Sequence, residues 1–131
     1  MAGITDLKET LKSLEISCDD IEYGFASIDD SSKASQEKLL ATFQEDGRVA
    51  IIAPAAYLKL QNINHEGPFA KLTIDIHTSL DLVGLTAVMA TKLAEGGISA
   101  NVVAAFYHDH VFVQYDLRQK AQELLVSLRD G

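Results

Sequence analysis

A change of hydrophobic period between residues 70 and 95 constrains this chain more than any other feature. Over 70–78, Leu72, Ile74 and Ile76 alternate with Lys71, Thr73, Asp75 and His77, the pattern of a strand with one buried face. The period then lengthens. Leu85, Val88, Met89 and Leu93 line one side of a helix over about 83–95, which Gly96-Gly97 ends. Two strands follow, 99–107 and 110–115, joined by a tight turn near His108-Asp109. Leu117, Ala121, Leu124, Leu125 and Leu128 mark a last helix, so the second half reads β-α-β-β-α.

The first half carries the same order behind a leading helix. Ile4, Leu7, Leu11 and Leu14 recur at helical spacing, predicting an amphipathic helix over 5–15 with Thr5 as its N-cap. Ile21, Tyr23 and Phe25 alternate with Glu22 and Gly24, predicting a strand over 21–28. A polar loop over 29–35 and a short helix or irregular crossover over 35–40 come next. Thr42–Gln44 and Arg48–Ala53 flank Glu45-Asp46-Gly47, a hairpin signature. Pro54 opens a short helix through Gln61, and Asn62–Pro68 reads as a linker. Each half, 1–64 and 65–131, is one strand short of the split βαββαβ arrangement of ferredoxin-like domains. The expected fold is therefore α+β, two such units with antiparallel sheets and helices on one face. An unpaired strand edge invites a partner, so the halves are expected to lend strands or pair edges.

Composition narrows the function. Of the 131 residues 47% are hydrophobic, but only in short runs, far from the roughly 18 continuous apolar residues of a membrane helix. Met1 to Leu14 carry Asp6 and Glu9 and no apolar run, unlike a secretory leader. Cys18 is the single cysteine, which excludes a disulfide framework and points to the reducing cytoplasm. The net charge of −8, with Asp19, Asp20, Glu22, Asp29 and Asp30 close together, repels phosphate backbones. Nucleic acid and anionic membrane are thus poor partners. There is no G-x-G-x-x-G, no phosphate loop and no assignable Ser-His-Asp set, so no catalytic residue and no cofactor are expected and the chain reads as a non-enzyme.

The stretch Ser79–Ala87, the run Leu93–Val103 with Gly97-Ile98-Ser99-Ala100-Asn101-Val102 at its end, and Tyr107–Val113 around His108-Asp109-His110 together resemble the ACT domain. They are especially similar to a bacterial family of short, functionally unassigned tandem ACT proteins. The likeness is strong over 65–131 and weaker around Thr42–Pro54. ACT domains elsewhere bind free amino acids and pass the signal to an enzyme they are fused to. The resemblance implies a ligand cleft between paired ACT units. One wall would be Ser79 to Thr86, the other Ser99 to Val102. Two departures from the common pattern stand out: Val83 occupies the place where many regulatory loops carry proline, and the usual asparagine is Ser99, with Asn101 two residues on.

The candidate ligand-binding residues are Ser79, Asp81, Val83, Gly84, Leu85, Thr86, Ser99, Asn101, Val102, His108 and His110. Gly84 sits at a helix start, where backbone N–H groups and the positive dipole end hold a carboxylate; alternatively, it permits close helix–sheet packing. Asp81 would pair with a ligand ammonium or cap the helix, roles that are compatible. Ser79 and Thr86 offer hydroxyls. His108 and His110, two apart, would project from one strand face and supply two metal ligands, with Asp109 or His77 a third; a zinc site needs three or four, so no metal is assigned. The other reading has both histidines hydrogen-bonding across the hairpin or at an interface. His65 reads as a solvated linker residue. The expected function is a regulatory module, a homodimer or higher homo-oligomer, that binds a small molecule, an amino acid. The alternatives are a ligand-free interaction or structural ACT unit, or a His-based metal protein.

Overall fold

The computed structural model of the chain describes residues 4–76 and 84–130. The leading helix, α1 (Ile4–Leu11), starts one residue early, so Thr5 lies inside it and is not its cap. It also ends early: the Leu14 N–H donates to the Leu11 carbonyl at 3.1 Å and turns the chain. A strand absent from the sequence reading then appears, β1 (Glu15–Cys18).

Two compact units follow from the packing, Asp20–Ala70 and Met1–Asp19 with Lys71–Gly131. The Asp20–Ala70 unit contains β2 (Tyr23–Ile28), single turns of 3-10 helix at Ser31–Lys33 and Gln36–Lys38, β3 (Ala41–Glu45), β4 (Arg48–Pro54) and α2 (Ala55–Leu60). Its last strand is the start of β5 (Glu66–Asp75). β3 and β4 form the expected hairpin about Asp46-Gly47, Pro54 stands at the N-cap of α2, and the strand order is β3-β4-β2-β5. Ile28, Val49, Ile51, Ala53 and Leu58 form the core, with Ala34 and Leu39 of the 29–40 crossover packed against it.

The predicted linker 62–68 needs correction, because Glu66, Gly67 and Pro68 already belong to β5. Tyr23 pairs with Phe69 but Phe25 pairs with Glu66, so β5 holds one residue more than β2 across that step. Glycine and proline, which look like breakers, sit together in this bulge, a kind of strand position that tolerates proline.

In the other unit, residues 71–75 of β5 are the first strand. α3 (Leu85–Glu95), β6 (Asn101–Ala104), β7 (Asp109–Gln114) and α4 (Arg118–Val126) follow. The strand order is β1-β5-β7-β6, with β1 antiparallel to β5 from Glu15↔Asp75 to Cys18↔Leu72. Leu72 and Ile74 are buried, as are Val111 and Val113 of β7 and Met89 and Leu93 of α3. α4 packs on β1, β7 and α3.

Both units therefore reach the order fourth-first-third-second of a ferredoxin-like sheet, and neither does so from consecutive sequence alone. β1 supplies the strand that the second half lacks, and the first residues of β5 supply the one that the first half lacks. Counted along the sequence the halves are 1–64 and 65–131; counted by packing, residues 1–19 go with the later half and 65–70 with the earlier one. The last hairpin also differs from expectation. β6 stops at Ala104, and the Ala105 N–H donates to the His108 carbonyl at 3.0 Å, so the tip is Phe106-Tyr107 and not His108-Asp109. Among the described residues, no helix is long and apolar enough to cross a membrane.

Candidate functional site

Gly84 opens α3. It occupies the N-cap position in the left-handed region, φ 97°, and its carbonyl accepts the Val88 N–H at 2.9 Å. A side chain there would be strained, and glycine has none with which to cap the first turn, whose N–H groups lack intrahelical acceptors. The N-cap is thus Gly84, not Asp81. Leu85 is half-buried and Thr86 exposed. Ser79, Asp81, Val83 and His77 lie outside the described residues.

At its other end α3 closes with a pair of backbone bonds, Ile98 N–H to Leu93 carbonyl and Gly97 N–H to Ala94 carbonyl, both 2.9 Å. The Lys120 ammonium donates to the Gly96 carbonyl at 2.8 Å. This closure fixes where Ser99 and β6 begin. Helix rise makes α3 about 16 Å long, so Gly84 and Ser99 stand at opposite ends of it. Pairing of Asn101 with Phe112 and of Val102 with Val111 then turns Asn101 and Val102 to opposite sheet faces. Within one copy the described part of the first wall, Gly84 to Thr86, therefore does not meet Ser99. A shallow groove of about 320 Å³ runs along the outer side of α3 between Ala87, Thr91, Glu95 and Leu128.

His108 and His110 gather a different set. The polar positions of β5, Lys71, Thr73 and Asp75, alternate with buried Leu72 and Ile74. Thr73 Oγ1 lies 3.0 Å from His110 Nδ1, and Asp75 Oδ1 lies 3.9 Å from His108 Nε2. Lys71 Nζ is 3.4 Å from Asp19 Oδ2. His110 thus bonds to the neighbouring strand, not across its own hairpin. Among the described residues no three His, Cys, Asp or Glu side chains converge as a metal set. Burial, together with the charges of Lys71 and His108, pushes His110 below the usual imidazole range. Its lowered folded value means the unfolded chain binds that proton first. Stability should therefore fall as pH drops from about 6.5 through the folded value of His110, and NMR titration of its ring protons should place its midpoint below 6.5.

His65 also departs from the solvated reading: it is half-buried, with Nδ1 2.9 Å from the Ile63 carbonyl. The sequence reading overlooked Thr73 as a histidine partner; the β5 alternation places Thr73 on the polar face but does not say which residue of another strand lies beside it. It also overlooked Phe106 and Tyr107, 90% and 85% exposed at the hairpin tip with ring centroids 4.8 Å apart.

Two ACT-domain family profiles match the chain, one over residues 2–70 and the other over 64–127. No curated protein matches it. A Vibrio cholerae protein of unknown function, described as a possible transport protein, has 35% sequence identity and a TM-score of 0.89, the match covering 98% of this chain and 99% of that one. Aspartokinase alpha and beta subunits align at a TM-score of 0.71 and 13% identity, over 88% of this chain and 97% of theirs. The ligand-free regulatory subunit of Thermus thermophilus aspartate kinase aligns at 0.57 and 13% identity, over 86% and 96%.

Proposed function

Because the chain belongs to the ACT-domain family, we propose that it is a non-enzymatic regulatory module that binds an amino acid at the start of α3. The observation carrying this reading is Gly84, a helix N-cap without a side chain, whose left-handed backbone opens α3. First-turn N–H groups and the positive end of the helix dipole complement a carboxylate. That the fold is shared with regulatory subunits of aspartate kinase supports a regulatory role. Gly84 and Ser99 stand at opposite ends of α3, so a cleft using both walls takes Gly84 to Thr86 from one copy and Ser99 and Asn101 from another. This favours a homodimer or larger homo-oligomer, and the single cysteine, Cys18, suits the reducing cytoplasm.

Thermal melts with each of the twenty amino acids test the reading. At a hundredfold excess over Kd one of them should add about 2.7 kcal/mol, a Tm rise on the order of 10 °C. Gly84→Ala should remove the rise, since a side chain at φ 97° strains the backbone turn that presents these amides. A flat response to all twenty at millimolar concentration would favour the second reading, a ligand-free interaction module. The exposed Phe106-Tyr107 pair is the observation on its side.

A further inference from the structure

We infer that each chain holds one amino-acid site, not two, because the crossover over residues 29–40 closes the counterpart of the Gly84 position with its own groups. This rests on the Gly84 reading and extends it to stoichiometry. In both units the connection between first and second strand is the place in question. One unit fills it with α3, the other with two 3-10 turns.

In the crossover many of the backbone donors already have internal acceptors. The Ser32 N–H donates to Asp30 Oδ1 at 2.8 Å, and the Lys33 N–H to the Asp30 carbonyl at 3.1 Å. The Ser35 N–H donates to the Tyr57 hydroxyl at 2.7 Å. Those of Lys38, Leu39 and Leu40 go to the carbonyls of Ser35, Gln36 and Ile52. A ligand carboxylate entering here would displace an internal carboxylate from the same amide, with no net gain of hydrogen bonds.

Charge acts in the same direction. Asp29 lies 2.9 Å from Lys33 Nζ. The bond and charge of Lys33 hold Asp29 below the usual carboxylate range, and the Ser32 amide does the same for Asp30. Both carboxylates stay ionised at neutral pH and repel a second anion. Gly84 brings neither a competing side chain nor a charge to its helix. The first-half unit would then serve as scaffold, supplying a packed core and no ligand of its own.

The full chain, labelled with ¹⁵N and titrated with an equimolar mixture of the twenty amino acids, decides this by amide shifts. The expected result is movement at Leu85, Thr86 and Ala87, saturating as one site per chain, with Ser31, Ser32 and Lys33 unmoved. Asp30→Ala should leave the response at 85–87 as it was. Movement at Ser31–Lys33, or saturation at two per chain, overturns the single-site inference and leaves the Gly84 reading standing. No movement at 85–87 overturns both.

Discussion

Leu72→Ala should destabilise the fold by about 3–5 kcal/mol, the range for emptying a fully buried leucine site. Leu72 is 0% exposed and pairs with Cys18 of β1, the strand that the chain's first residues lend to its second half. Removing its side chain opens a void between the sheet and the helices on it, which close-packed neighbours refill only in part. A domain of ordinary stability holds roughly 5–15 kcal/mol in total, so the variant should lose a large share. Urea unfolding followed by circular dichroism would show a much lower midpoint at nearly unchanged slope. The adjacent Thr73→Ala is the informative comparison. It faces the other way and gives up a hydrogen bond to His110 Nδ1, 3.0 Å long, worth about 1 kcal/mol. Equal losses for the two variants would mean that β5 does not separate a buried face from a polar one.

That separation was legible in the sequence because alternation needs only neighbouring residues. The same holds for α3, where the leucine and methionine stripe ends at Gly96-Gly97, and for the hairpin about Asp46-Gly47. β1 was not legible. Glu15–Cys18 offers two apolar positions, too few for a period, and Leu14 just before it continues the spacing of Ile4, Leu7 and Leu11, which carries the helical reading to Glu15, the first residue of the strand. Phe106 and Tyr107 look like strand residues by composition, yet they stand exposed at the tip. Composition alone gave no reason to end β6 at Ala104. The candidate site divides along the same line. Gly84 as helix start follows from local pattern, and so does the shared face of His108 and His110. The bond between Thr73 and His110 depends on how β5 and β7 are aligned across 37 positions, and no periodicity encodes register between distant strands.

Gly67→Ala should cost the Asp20–Ala70 unit roughly 2–4 kcal/mol, combining backbone strain with a clash. Gly67 has φ 141°, a region that side chains rarely enter, and a Cβ there would stand 2.7 Å from the Tyr23 carbonyl oxygen and 3.3 Å from the Phe69 nitrogen. A flexible side chain would move aside; these are backbone atoms. Tyr23 is held on both sides, by Phe69 of β5 and by Pro54 of β4, so shifting its carbonyl disturbs both pairings. The physical effect is to press the bulge out of β5 at the point where the strand completes the first-half sheet. Glu66→Ala, one residue earlier and exposed, should stay within about 0.5 kcal/mol. Hydrogen exchange supplies the location as well as the size. Amides of β2 and β4 should lose protection in the Gly67 variant, more than those of β6 and β7. If both groups weaken together, β5 transmits the damage along its length and the two units unfold as one. If neither weakens, the bulge carries no strain and β2 does not depend on the strand it borrows.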